Sequence, residues 1–239
     1  MTSAEPDEPI DELLAAAYAL DGPDANRGLY ARWADTYDSG FVVNSGYQYP
    51  GRVAAVFAAH ALEGLATGDV IVDIGCGTGL CGVALQRHRA VTIDGLDISP
   101  EMLRQAANKR HDDRPAYRLL IEADLTRPLD IPDGTFGAAM SAGTFTHGHV
   151  GPEALAEVVR IVRPGGRVVL GINAAHFASA GFGLALDELA SLGRIADLRL
   201  IDTPIYDDSD LHDRDQFAHV AVFTIAWAAG YNIVSIRGQ

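Results

Sequence analysis

The 239-residue chain is poor in basic charge: 18 Lys and Arg stand against 32 Asp and Glu, a formal net charge of −14. A surface of that sign repels phosphate backbones and anionic lipids, and no basic cluster interrupts it, so neither nucleic acid nor a membrane surface is an expected partner. Cysteine is scarce as well. Cys76 and Cys81 lack C-x-x-C spacing and histidine partners, which argues against a zinc or dithiol site and leaves them as small packing residues of a reducing compartment. No apolar run approaches membrane-spanning length, and the opening MTSAEPDEPIDELL is acidic where a signal or transit peptide would be basic. The expectation is a soluble, cytoplasmic chain with one large α/β domain, its oligomeric state unknown.

The patterning that is present supports this. Ile10, Leu13, Leu14, Ala17 and Leu20 form one helical stripe, and DGPD at 21–24 supplies a stop and a new cap. A second helix is predicted over roughly 24–38, with Tyr30, Trp33 and Tyr37 sharing a face, and a third from about Gly51 to Leu62. Residues 1–50 are thus expected to form a helical cap or lid ahead of a compact domain over 51–239. In that domain strands are predicted near 70–74, 91–96, 117–122, 136–141 and 167–172, with helices near 79–88, 100–110 and 152–162 between them. Two later strand-like stretches, LRLIDTPIY and FAHVAVFTIAW, suit an antiparallel edge hairpin. The predicted fold is α/β: a Rossmann-like, doubly wound, mostly parallel seven-stranded sheet with that edge hairpin and N-terminal helices. Ligand sites in such a sheet lie at the carboxyl ends of its strands.

The stretch VIVDIGCGTGLCG at 70–82 reads as a strand, a glycine turn and a helix start, which offers unpaired N–H groups and a positive dipole end to an anionic group. Counted from Gly75, Leu80 stands where the third glycine or alanine of a dinucleotide fingerprint belongs, which weakens that reading, and there is no Lys-Ser/Thr pair for a Walker A loop. What remains is D-x-G-x-G-x-G, with Asp73 ahead of Gly75, Gly77 and Gly79. An acid beside the turn disfavours pyrophosphate and suits a ligand with an ammonium as well as a carboxylate, such as S-adenosylmethionine. In DGLDIS, Asp97 can accept from ribose hydroxyls while Ile98 and Met102 pack on adenine; Asp94 is the competing acid, set mid-strand. In EADL, Asp124 can meet the adenine amino group, with Ala123 and Leu125 lining the ring.

Together VIVDIGCGTG, DGLDIS, EADL with PDGTFGAAMS, and VRIVRPGGRVVLGI resemble the successive motifs of class I S-adenosylmethionine-dependent methyltransferases, over residues 70–172. WADTYD and THGHVGPEALAEVVRIVRPGG add a narrower resemblance to the small-molecule methyltransferases grouped with the Williams-Beuren region methyltransferase-like protein. The resemblance implies that Asp73, Gly75, Cys76 and Gly77 hold the methionyl end, Asp97 the ribose, and Asp124 with its neighbours the adenine. Ser141, Ala142 and Phe145 would line the methyl-transfer side, and RPGG at 163–166 would be a structural turn.

Methyl transfer from a sulfonium requires alignment and exclusion of water, and no metal. Tyr30, Trp33 and Tyr37, with Phe145, are candidates for an aromatic lid over the sulfonium, or for ordinary core. His147 and His149 follow the fourth strand as candidate bases for a hydroxyl, phenol or acidic carbon, His147 the preferred one. Tyr47 and Tyr49 either shape the acceptor pocket or simply pack. The expected function is O-, N- or C-methylation of a small-molecule acceptor. A nucleotide-dependent oxidoreductase and a non-catalytic S-adenosylmethionine-binding protein are the alternatives.

Overall fold

The structure is a computed structural model that describes residues 28–29, 45–146, 149–207, 213 and 216–226. The helix expected at 10–20, most of that at 24–38 and the tail from 227 lie outside the described residues, as do Tyr30, Trp33, Tyr37 and His147.

Helix α1 (Tyr49–His60) has Pro50 in its first turn, where a missing N–H breaks no helical bond, and it buries Val53, Ala54 and Phe57. Strand β1 (Val70–Ile74) leads through the glycine turn into α2 (Leu80–His88), and β2 (Thr92–Asp97) into α3 (Pro100–Ala107). Ser99 caps α3, its Oγ accepting the Met102 N–H at 3.2 Å. That helix stops short of the predicted 110 because Arg110–His111 pairs with Arg114–Pro115 in a tight hairpin, turned through Asp112 and Asp113 with φ of 47° and 62°. Then come β3 (Leu119–Glu122), β4 (Phe136–Phe145), α4 (Leu155–Ile161), β5 (Val162–Asn173), α5 (Ala174–Ala180), α6 (Phe182–Ser191), β6 (Ile195–Pro204) and β7 (Phe217–Ile225).

The seven strands form one sheet in the order β3-β2-β1-β4-β5-β7-β6. Strands β1 to β5 are parallel; β7 runs antiparallel to both β5 and β6. The RPGG segment, expected as a turn ahead of its strand, is a bulge inside β5: Val162 already pairs with Phe136, and the register resumes at Ala138 with Arg167. Helices α1, α2 and α3 cover one face of the sheet, where Phe57, Leu85 and Leu103 join one core. Helices α4 and α6 cover the other, where Leu155, Val158, Phe182 and Leu186 pack on β4 and β5. Both faces are therefore closed, and the carboxyl ends of the parallel strands are left to form a site. Among the described residues no helix is long and apolar enough to cross a membrane.

Candidate functional site

The carboxyl ends of β1 to β5 enclose one cavity of about 210 Å³. Its floor is the glycine turn. Gly75 has a φ of +62°, and a Cβ there would collide with the side chain of Thr144, so only glycine permits β1 and β4 to close this tightly. Two hydroxyls lock the junction: Ser141 Oγ and Thr144 Oγ1 both donate to the Ile74 carbonyl, at 2.7 and 2.9 Å. Gly77, with φ of +53°, is the opposite case, for a Cβ there would meet nothing within 4 Å. Its bare backbone faces the cavity.

Asp97 ends β2 on the cavity wall. Its Oδ2 accepts the Gly77 N–H at 2.8 Å and its Oδ1 the Ser99 N–H at 2.9 Å, so the carboxylate fixes the turn and still has lone pairs to offer a ligand. Burial raises its pKa, and the backbone N–H groups of Ser99, Gly77 and Ile98 oppose that shift. Asp94 is closed off from the site: Arg118 clamps its two oxygens at 2.9 and 2.6 Å, and the Leu119 N–H adds a third bond at 3.2 Å. Beyond β3, Asp124 lines the cavity while accepting from Thr126 N and Oγ1 at 2.9 and 2.6 Å and pairing with Arg127 at 3.2 Å.

Of the other residues expected at the cofactor site, Cys76, Ile98, Met102, Ala123, Leu125, Ala142 and Phe145 line the same cavity. Asp73 and Ser141 do not; both are fully buried behind it. The Tyr117 hydroxyl donates to Asp73 Oδ2 at 2.7 Å and accepts the Gly82 N–H at 3.1 Å. Desolvation raises the Asp73 pKa to about 7, assisted by the nearby Asp97 and opposed by the Tyr117 and Gly82 hydrogen bonds. Both cysteines are buried free thiols, with pKa values pushed up by burial first and by neighbouring carboxylates second.

His149 also lines the cavity, with its N–H donating to Thr146 O at 3.1 Å. Burial, with a smaller contribution from His176, lowers its pKa to about 4 against the raising effect of a hydrogen bond with the Gly143 backbone. The imidazole is neutral at neutral pH. Tyr47, Tyr49, Ile205 and Tyr206 line the same cavity, as do Val150 and Asn173. Periodicity offered no signal for Ile205, Tyr206 or Asn173, which reach the site only through the pairing of strands distant in sequence.

Residues 71–166 match the family described as a methyltransferase domain. The chain is 34% identical to methyltransferase-like protein 27 of Homo sapiens over 165 residues, 67% of this chain and 64% of that protein. It is 27% identical over 107 residues to the 27-O-demethylrifamycin SV methyltransferase of Amycolatopsis mediterranei, 45% of this chain and 39% of that one. The chain thus spans less than two thirds of the length of either relative. Its fold is that of the putative methyltransferase crystallised with the Trm112 methyltransferase activator from Haloferax volcanii. The TM-score is 0.57 at 20% identity, covering 86% of this chain and 99% of that one. That family and fold use S-adenosylmethionine as methyl donor. The open backbone at Gly77 and the carboxylate of Asp97 in the cavity wall fit such a molecule. Over residues 71–166 the chain carries a methyltransferase-domain match, and it is similar there to class I S-adenosylmethionine-dependent methyltransferases.

Proposed function

We propose that this chain methylates a small-molecule acceptor, with S-adenosylmethionine as donor and S-adenosylhomocysteine as product. The observation that carries the reading is one cavity lined both by the glycine turn, Asp97 and Asp124 and by an uncharged cluster of tyrosines. The bound donor supplies an activated methyl group on a sulfonium. In this reading the N–H groups of the turn from Gly75 to Gly77 hold its methionyl carboxylate, with Cys76 beside them. Asp97 accepts from the ribose hydroxyls, while Ala123, Asp124 and Leu125 meet the adenine and Ile98 and Met102 pack against it. Asp73 is too deep to touch the ligand and acts through its field and through Tyr117. Ala142 and Phe145 flank the transfer side, with Ser141 fixing the backbone beneath them.

His149, half-buried and neutral, lines the acceptor side of the cavity; with a pKa of about 4 it holds a proton too weakly to store one at neutral pH. The net charge of −14 and the Amycolatopsis relative, which is named for a demethylated rifamycin, both support a small acceptor. Calorimetry against S-adenosylmethionine, S-adenosylhomocysteine and NAD tests the donor half: the first two bind and NAD does not. Asp97→Ala should weaken both by roughly tenfold to a hundredfold through loss of charge-assisted hydrogen bonds. Preference for NAD, or unchanged affinity in the variant, would refute it.

A further inference from the structure

Three of the residues lining the cavity, Tyr47, Tyr49 and Tyr206, form a built aromatic wall. The Tyr47 ring lies 6.3 Å from that of Tyr49, at an interplanar angle of 65°, and 5.9 Å from that of Tyr206, at 55°. A short antiparallel pairing of the segment before α1 with the end of β6 holds them. Gln48 N donates to Ile205 O at 3.1 Å, Asp207 N to Gly46 O at 3.0 Å, and Arg52 Nη1 to Tyr206 O at 2.8 Å. Glycines on the two central strands make room for the phenols. A Cβ at Gly143 would lie 3.1 Å from the Tyr47 hydroxyl, and one at Gly171 would collide with that of Tyr49.

The chemistry of this wall is selective. Among the described residues lining the cavity there is no Lys or Arg, and the two carboxylates, Asp97 and Asp124, both belong to the donor contacts above. An anionic acceptor entering against the tyrosines would lose its hydration without gaining a counter-charge, whereas a neutral ring would bury apolar area against three aromatic faces. The Tyr49 ring packs with its hydroxyl sealed against Gly171, so it contributes an aromatic face and no reachable hydroxyl.

We propose that Tyr47, Tyr49 and Tyr206 form the acceptor subsite, and that it selects an uncharged, flat, ring-bearing molecule. This rests on the donor assignment above, because it takes the part of the same cavity that the donor contacts leave. The assignment of the wall to the acceptor makes these tyrosines specificity determinants and leaves the donor contacts to other residues.

The test uses the full chain saturated with S-adenosylhomocysteine and two probes of one ring size, 2-naphthol, neutral at pH 7, and 2-naphthoate, anionic. Calorimetry should show naphthol binding about tenfold or more tighter than naphthoate. Tyr47→Ala and Tyr206→Ala should each weaken naphthol by about tenfold while S-adenosylhomocysteine affinity stays within about twofold; Tyr206→Phe should keep most of the naphthol affinity. Naphthoate binding as tightly as naphthol, no naphthol binding to the loaded protein, or naphthol affinity indifferent to both alanine variants would overturn the subsite. Loss of S-adenosylhomocysteine binding along with naphthol in the alanine variants would make the tyrosines structural and overturn it equally. Failure of the wild type to bind S-adenosylhomocysteine would instead sink the donor assignment, and the subsite with it.

Discussion

The Tyr117 hydroxyl donates a 2.7 Å hydrogen bond to Asp73, joining a residue just ahead of β3 to the end of the central strand. The ring occupies space left by three glycines: a Cβ at Gly79, Gly82 or Gly95 would press into it or collide with it. The carboxylate it meets is fully buried, with a pKa raised to about 7, so the folded chain keeps a proton that the unfolded chain has lost above about pH 4. The stability this contributes is complete below pH 4 and is lost as pH rises toward 7, by roughly 4 kcal/mol. Asp73→Asn keeps an acceptor for Tyr117 and removes the titration. Urea unfolding between pH 4.5 and 8 should find the variant gaining on the wild type as pH rises, and parallel profiles would contradict the assignment.

His149 tilts the balance the other way. Its pKa of about 4 lies below the ordinary histidine value near 6.5, so the unfolded chain binds the proton first. The stability contributed is present above about pH 6.5 and lost as pH falls through 4, by roughly 3 kcal/mol. His149→Gln should therefore lose less stability than the wild type on acidification over that range. A variant as acid-sensitive as the wild type would mean that another group carries the effect.

Two glycines of the turn should respond differently to the same substitution. Gly75→Ala puts a methyl group into Thr144 on a backbone already at positive φ, and should cost several kcal/mol, on the order of 3, seen as a fall in Tm. Gly77→Ala meets only open space and should cost about 1 kcal/mol in stability. Its larger penalty should fall on S-adenosylhomocysteine affinity, because the methyl group projects where the ligand approaches the backbone. Equal losses of Tm in the two variants would argue against a cradle at Gly77.

Removing the hydroxyl of Tyr49 offers a separate check on the tyrosine wall. It is buried, burial pushes its pKa up, and nothing among the described residues accepts or donates to it. Tyr49→Phe should stabilise the unloaded protein by about 1 kcal/mol in denaturant unfolding. A destabilised variant would show that the hydroxyl makes a bond with a residue outside the described set.

The sequence alone determined the elements and the strand-end motifs that come to line the cavity, because those signals are local. The glycine turn after VIVDI, the acids at the ends of successive strands, Ser99 ahead of Pro100 and the alternation of strand and helix each occupy a few consecutive residues. Position along the strand favoured Asp97 over Asp94, but spacing could not tell that Asp73 is withdrawn from the cavity. Asp73, Asp94 and Asp97 look alike as letters, and the structure separates them through partners far along the chain: Tyr117 takes Asp73, Arg118 takes Asp94, and Asp97 is left on the cavity wall. Only the tertiary structure set β7 between β5 and β6. The buried run FAHVAVFTI needs strands on both sides and apolar cover on both faces, and the half-exposed IADLRLIDTP can stand at the edge. The acceptor wall is the extreme case: Tyr47, His149, Asn173 and Tyr206 belong to four separate segments, and only sheet pairing brings them to one cavity. No local pattern encodes that meeting, since it depends on register between strands and on the packing that closes both faces of the sheet.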